Sequence, residues 1–229
     1  MTQSLRLSAS LLMLLALAPS ARADIDVSAL VSDGPTAAVL DDMRRAENGD
    51  TEAQFRMGVR FDSANGVARD FVKAAEWYLR AAAQGHVAAQ TNIGLMYSEG
   101  QGLPRDPVKA AEWLTKAARG GDGLAQYSLG LLYYQGAGVE RDFQTALQWY
   151  RQAAQAGYAQ ALNNIGIMYG LGAGVAADAV EAHAWFTLGA ARGDPNAAKN
   201  RDLTADEMNE DALARARGRA EELRSQMGG

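Results

Sequence analysis

The chain of 229 residues contains no cysteine. Disulfides and thiol chemistry are thereby excluded, and the fold must hold together by packing alone. Histidine is almost as scarce, with only His86 and His183, far apart in the chain. Two imidazoles so separated do not make a metal centre, which needs three or four convergent ligands. Positive charge is not in excess either: Lys and Arg number 22 against 27 Asp and Glu, for a formal charge of -5. A nucleic-acid partner, which requires a basic patch to displace counterions, is excluded on that balance. Long apolar runs are missing as well. The run Leu11 to Ala18 is far short of the ~20 residues that span a bilayer.

That short run has a different reading. With Arg6 before it and Ala21-Arg22-Ala23 after it, it has the three parts of a signal peptide at 1–23, cut between Ala23 and Asp24. No cysteine follows the apolar core and no arginine pair precedes it, so neither a lipid anchor nor a twin-arginine leader is indicated. The expectation is a periplasmic or secreted protein with no stable membrane insertion after cleavage. Losing Arg6 and Arg22 leaves 20 basic against 27 acidic side chains, which strengthens the case against nucleic acid.

The rest of the chain repeats. Tryptophan recurs at Trp77, Trp113, Trp149 and Trp185, always 36 residues on. In the same register come Asp70, Asp106, Asp142 and Asp178, three columns of glycine, and the small residues Ala53, Ala89, Ala125 and Ala161. The glycine columns are Gly58/94/130/166, Gly66/102/138/174 and Gly85/121/157/193. Self-similarity at such a period marks a helical repeat array. In each unit the second helix puts small and aromatic residues at i, i+3, i+4, i+7 and i+8, for example Ala146, Trp149, Tyr150, Ala153 and Ala154. That is one helix face. The recurring Asp is placed to cap its first turn, and a glycine follows its end. Glycine within the first helix, at Gly58 and its equivalents, costs ~1 kcal/mol of propensity against alanine. Its return argues that another helix comes so close that a Cβ would clash. The tryptophan is expected to fill that space.

The run A-x-x-x-L-G-x-x-Y-x-x-G-x-G-V-x-x-D followed by A-x-x-W-Y-x-x-A-A-x-x-G resembles the Sel-one-like repeat, a branch of the tetratricopeptide superfamily. The resemblance covers Gly49 to Asp194 in four copies. The run Ala184-Trp185-Phe186, then Gly193-Asp194-Pro195-Asn196-Ala197-Ala198, is similar to the closing segment of bacterial members. It implies an all-α fold, a right-handed superhelical solenoid of antiparallel helical hairpins with 36-residue repeats, and a role in protein–protein contacts. Some secreted members carry cysteines within each repeat; this chain does not.

On this basis the segments are a signal peptide at 1–23, a flexible lead-in at 24–34, an N-terminal capping helix at 35–49, and repeats at 50–86, 87–122, 123–158 and 159–194. C-terminal capping helices occupy 195–229. Helix pairs are expected at 51–63 and 71–84, 87–99 and 107–119, 123–135 and 143–156, and 159–170 and 179–192. Asp194-Pro195 opens a short helix to about Arg201. Thr204 with Glu207 reads as a capping box that starts the last helix, to about Gln226. Exposed i, i+4 pairs such as Glu76 with Arg80 and Glu112 with Lys116 read as solvated faces. The loop Gly170-Leu171-Gly172-Ala173-Gly174 has no strand before it, so it lacks the context of a nucleotide-binding loop.

Chemistry is sparse. His86 follows a helix-ending glycine where equivalent positions hold Asp122, Tyr158 and Asp194, and reads as a solvent-facing hydrogen-bonding residue. His183 shares a column with Ala75, Ala111 and Leu147, and reads as partly buried. No nucleophile–base pair stands at readable spacing, and no cofactor is indicated. A binding face is easier to place. Positions opposite the packing side of the first helices do not repeat: Phe55, Val59, Asp62 and Ser63; Thr91, Leu95, Ser98 and Glu99; Tyr127, Leu131, Tyr134 and Gln135; Asn163, Ile167, Gly170 and Leu171. The resemblance places first helices on the concave side of the superhelix. Phe55, Val59, Thr91, Leu95, Tyr127, Leu131, Tyr134, Asn163 and Ile167 are therefore the candidate protein-binding residues. An alternative is that Leu95, Leu131 and Ile167 merely pack between hairpins. The functional expectation is a non-catalytic scaffold or adaptor of the cell envelope that binds a protein or peptide. An envelope enzyme or glycan-binding protein, built on carboxylates such as Asp62 with Glu99, is the competing expectation.

Overall fold

The computed structural model describes residues 36–227. The leader, the lead-in and the cleavage site fall outside the described residues. Within them the chain is all-α, with eleven helices and no strand. A single capping helix, α1 (Ala37–Glu47), precedes four hairpins. These are α2 (Thr51–Ser63) with α3 (Phe71–Ala83), α4 (Val87–Glu99) with α5 (Pro107–Arg119), α6 (Gly123–Gln135) with α7 (Phe143–Gln155), and α8 (Ala159–Leu171) with α9 (Ala179–Ala191). Two helices close the chain, α10 (Pro195–Asp206) and α11 (Glu210–Gln226). The architecture is a helical repeat solenoid. Second helices end one residue before the expected limit at Gln84, Ala156 and Arg192, because these residues already stand outside as caps whose N–H groups turn back onto the last turn.

The described chain forms two compact units. The first comprises residues 36–132 with 137–140, the second 133–136 with 141–227.

Each second helix starts where the sequence places its cap. Asp70, Asp106, Asp142 and Asp178 all accept from backbone N–H groups of the first turn, as in Asp106 Oδ1 from Lys109 N at 3.1 Å. Hydrogen bonds from the first-turn backbone hold Asp70 and Asp106 below the ordinary carboxylate value. Asp142 is lowered first by the Thr145 hydroxyl.

The close helix approach marked by glycine is present, but the tryptophan does not fill it. A Cβ on Gly94 would stand 2.7 Å from Leu114 Cγ, and one on Gly166 would stand 2.5 Å from Phe186 Cε1. On Gly58 it would strike the Tyr78 ring. The filling side chain is thus the residue after the tryptophan, Tyr78, Leu114 or Phe186, each at most 1% exposed, and Tyr150 in the same column is likewise buried. One residue is a 100° rotation on a helix, and it turns the tryptophan away from the partner helix. Trp77, Trp113 and Trp149 are half-buried, and only Trp185 is buried.

A second recurring element is a buried glutamine in each first helix. The Nε2 groups of Gln54, Gln90 and Gln126 donate to the carbonyls of Ala46, Ala82 and Ala118, at 3.1, 3.2 and 3.1 Å. Each ties a first helix to the last turn of the helix before it, adding a side-chain donor to a carbonyl that also accepts from the backbone N–H groups just past that helix. Leu162 stands in that column in the fourth hairpin and is fully buried. There Arg192 Nη1 donates to the Ala154 carbonyl instead, at 2.9 Å.

The two ends are closed differently. On α1, Asp42 is buried and accepts from Arg56 Nε at 2.8 Å and from Arg60 Nη2 at 2.7 Å. At the other end the expected capping box is overturned. Thr204 lies inside α10, fully buried, with its hydroxyl donating to the Asn200 carbonyl at 2.7 Å. The last helix is capped instead by Asn209, whose side chain accepts from Ala212 N at 2.9 Å. α10 therefore runs five residues past Arg201 to Asp206, because Ala197, Asn200 and Thr204 form its buried side.

Candidate functional site

In the first unit the first-helix positions divide by depth. Phe55, Val59, Leu95, Tyr127 and Leu131 are half-buried, whereas Thr91 is only 2% exposed, with its hydroxyl donating to the Val87 carbonyl at 3.3 Å. Threonine in a helix interior commonly turns its hydroxyl to the i−4 carbonyl, so Thr91 presents no side chain on this face. Phe55 is held on two sides. Its ring stacks on His86 at 4.3 Å between centroids and lies tilted against Tyr78 at 5.9 Å.

In the second unit the candidate residues are taken up by the fold. Asn163 is buried and its Oδ1 accepts from Asn200 Nδ2 of α10 at 2.8 Å. Ile167 is buried in one cluster with Ala182 and Phe186. Ile167 is thus taken up by packing, and the partners in its cluster belong to its own hairpin. Tyr134 rests against Phe143 at 5.2 Å, and burial raises its hydroxyl above the ordinary value.

Asp62 is half-buried near the Tyr78 hydroxyl, 3.5 Å away, while Glu99 is exposed. Among the described residues no group of three or more His, Asp or Glu could hold a metal ion.

Both histidines have structural surroundings. His86 caps α4: its Nδ1 accepts from Ala89 N at 3.2 Å, and Nε2 faces Glu52 Oε2 at 3.1 Å. A ring whose Nδ1 accepts must carry its proton on Nε2, so the pair is a neutral imidazole donating to a carboxylate. The expectation of a solvent-facing residue is corrected: the ring is half-buried under Phe55. The capping role was legible, since from the same column Asp50 and Asp122 cap first helices and Asp194 caps α10. His183 is 6% exposed, more deeply buried than expected, and burial lowers its pKa while a hydrogen bond to the Arg201 backbone opposes.

The second helices carry a feature that the sequence reading missed. Arg80 lies over the Trp77 ring at 4.4 Å and Lys116 over the Trp113 ring at 4.0 Å. The cations read as i, i+4 partners of Glu76 and Glu112 are thus lids on the tryptophan three residues before them. The signal was the Trp-x-x-cation spacing, which places both groups on one helix face.

Among the described residues no helix is long and apolar enough to cross a membrane. A family model described as the Sel1 repeat matches four consecutive segments, 51–86, 87–122, 123–158 and 159–194. Similar solved structures include c5321, a protective antigen of uropathogenic Escherichia coli strains displaying an SLR fold, at 33% identity and a TM-score of 0.75. That match covers 81% of this chain and 40% of the antigen, so this chain spans less than half the antigen's length. A Sel1 repeat protein from Oxalobacter formigenes is 28% identical, with a TM-score of 0.62, over 77% of this chain and 87% of that one. Comparison with curated proteins gives no match.

Proposed function

The chain belongs to the Sel1 repeat family, and from that premise we propose that it is an adaptor of the bacterial cell envelope that holds a protein or peptide on its first helices. Sel1 repeats generally mediate protein–protein interaction on a non-catalytic scaffold. The observation that carries the proposal is a contrast between columns. Positions that pack the hairpins repeat in kind, whereas the column of Phe55, Thr91 and Tyr127 changes its residue type, and Phe55 and Tyr127 stay half-buried beside the half-buried aliphatic column of Val59, Leu95 and Leu131. Apolar and aromatic side chains that rest on the core yet keep part of their surface in solvent have the composition of an interaction face. The leader-like pattern at 1–23 supports an envelope location, and sequencing of the protein recovered from the periplasm is expected to start at Asp24.

The binding test compares capture of envelope proteins on the wild-type chain with capture on Tyr127→Glu/Leu131→Glu, after circular dichroism shows both equally helical. The captured partner is then titrated calorimetrically. Loss of binding in the variant supports the first-helix face. Equal affinity for both proteins would remove that face from the proposal.

A further inference from the structure

The outward faces of the second helices differ in charge, and the difference singles out α7. Helix α3 exposes Lys73, Glu76 and Arg80, and α5 exposes Lys109, Glu112 and Lys116. On α7 the exposed residues are Gln144, Gln148, Gln152 and Gln155, with Arg151 the only charge in the helix. The four glutamines follow at i, i+4, i+8 and i+11, which is one stripe along a helix. Arg151 is itself engaged, its Nη2 donating to the Tyr169 hydroxyl at 2.9 Å.

Trp149 borders the stripe. Gln152 occupies the position that Arg80 and Lys116 fill beside Trp77 and Trp113, and among the described residues no cation stands over the Trp149 ring. The fourth hairpin solves the same problem by cover. There α11 packs on α9, Arg219 pairs with Glu181, and the buried Trp185 donates its indole N–H to Glu181 at 3.2 Å. Among the described residues, then, no cation lid and no covering helix is found over the tryptophan of α7.

Low charge together with Trp149 and Arg151 is the composition of an interface centre, not of a free surface. We propose that this face of α7 docks against the same face of a second copy of the chain. A carboxamide both donates and accepts, so a glutamine stripe that meets its own image finds partners whichever way the helices run. A two-fold contact pairs residue i of one copy with residue j of the other and j with i. On α3 or α5 it would take three exposed charges per copy out of water; on α7 only Arg151 is charged, and it already donates to Tyr169. A strongly charged partner finds no opposite charge on the stripe to read. The pairing also covers Trp149. One helix face is smaller than the ~800 Å² per partner of a standard interface, so the dimer forms in a concentration-dependent way.

Sedimentation equilibrium of the purified protein, from about 1 µM to about 1 mM, tests this over the affinity range of weak interfaces. The weight-average mass is expected to rise from one chain to two. Gln148→Lys/Gln152→Lys, which puts two charges of one sign on the stripe of each copy, is expected to raise the dissociation constant by about tenfold or more, since like charges then face each other across the contact whichever residues pair. Gln155→Glu, a single change at an exposed position, is the second variant and acts in the same direction. Glu112→Gln/Lys116→Gln, equally helical by circular dichroism, keeps the wild-type constant. A wild-type protein that stays monomeric over the whole range overturns the proposal. So does a dimer that the α7 variants leave unchanged.

Discussion

In the first unit the carbonyl near the end of each preceding helix is taken by a glutamine reaching back from the next first helix. In the second unit the equivalent carbonyl, that of Ala154, is taken by Arg192 from the far end of the following hairpin. The tryptophan column shows the same divergence. In the first unit a cation three residues on lies over Trp77 and Trp113; in the second, Trp185 is buried and bonded to Glu181. What recurs from hairpin to hairpin is therefore a requirement: a carbonyl to satisfy, an indole to cover. The residue that meets it can change once a donor or a cover arrives from elsewhere. Neither unit departs from the glycine rule. A helix backbone approached within 2.7 Å of a would-be Cβ admits no substitute side chain without displacement of its neighbour.

The largest expected effect breaks what the units share. Tyr78→Ala in the first unit and Phe186→Ala in the second each remove a fully buried ring against a glycine, and should cost about 3–5 kcal/mol. Trp113→Ala removes a half-exposed ring and should cost clearly less. Urea unfolding of the three variants checks the order. A Trp113 loss equal to that of Tyr78 would restore the tryptophan to the core.

Next comes the carbonyl clamp. Gln126→Leu copies the second unit's residue into the first unit without the arginine that compensates it. The Ala118 carbonyl keeps the backbone N–H of Gly121, so the loss is that of one neutral hydrogen bond, about 0.5–1.5 kcal/mol. Leu162→Gln, the reverse change, should bring no gain, because Arg192 already occupies the Ala154 carbonyl. Arg192→Leu should cost about as much as Gln126→Leu. If Gln126→Leu melts like the wild type in a thermal scan, the clamp is ornamental.

How much of this could be read from the sequence follows from what repeats. The hairpins, their caps and the close glycine contacts were legible because each rests on a residue type that returns every 36 positions. The side chain that fills the glycine contact was misassigned. Trp77 and Tyr78 are neighbours on one amphipathic face, and only the rotation of the helix against its partner decides which points inward. At the C-terminus, Thr204 with Glu207 matched a capping box in pattern, but burial of Thr204 beside Asn200 kept the helix going. The candidate face was legible only in part. Column variability picked out Asn163 and Ile167 together with Leu95 and Leu131, yet Asn163 is hydrogen-bonded to α10, which follows the last repeat. A pattern confined to one repeat carries no information about what packs beyond it.

Acid should separate the units. In the second, burial keeps His183 below its ordinary value of 6.5. The unfolded chain then takes up the proton first, so stability falls as pH drops below about 6.5, by about 1.4 kcal/mol for each pH unit down to the folded value. In the first, burial alone would raise Asp42, but hydrogen bonds and charge from Arg56 and Arg60 outweigh it and hold the carboxyl below 3.8. That stability is present above 3.8 and is lost as pH falls through the folded value. Hydrogen exchange read separately on α9 and α1 is expected to show protection lost from pH 7.5 to 5.5 in α9 only. His183→Gln should flatten the α9 profile. A slope that survives this change would assign the acid response to another group.

The smallest effect tests whether the tryptophan lids are a transferable unit. Lys116→Gln gives Trp113 the environment of Trp149, and Gln152→Lys gives Trp149 that of Trp113. A cation over a partly exposed indole is worth about 0.5–1 kcal/mol, so the first change should lose that much and the second gain it. The measurement belongs at low protein concentration, where any self-association is absent and only folding is read. High salt serves as the internal control, because screening weakens exposed charge interactions while leaving packing alone. Opposite shifts that shrink together in salt identify the lid. A loss at Lys116 without a gain at Gln152 would mean that the α7 surface holds its tryptophan in a geometry that its own helix cannot cap, and would leave that ring dependent on a second molecule.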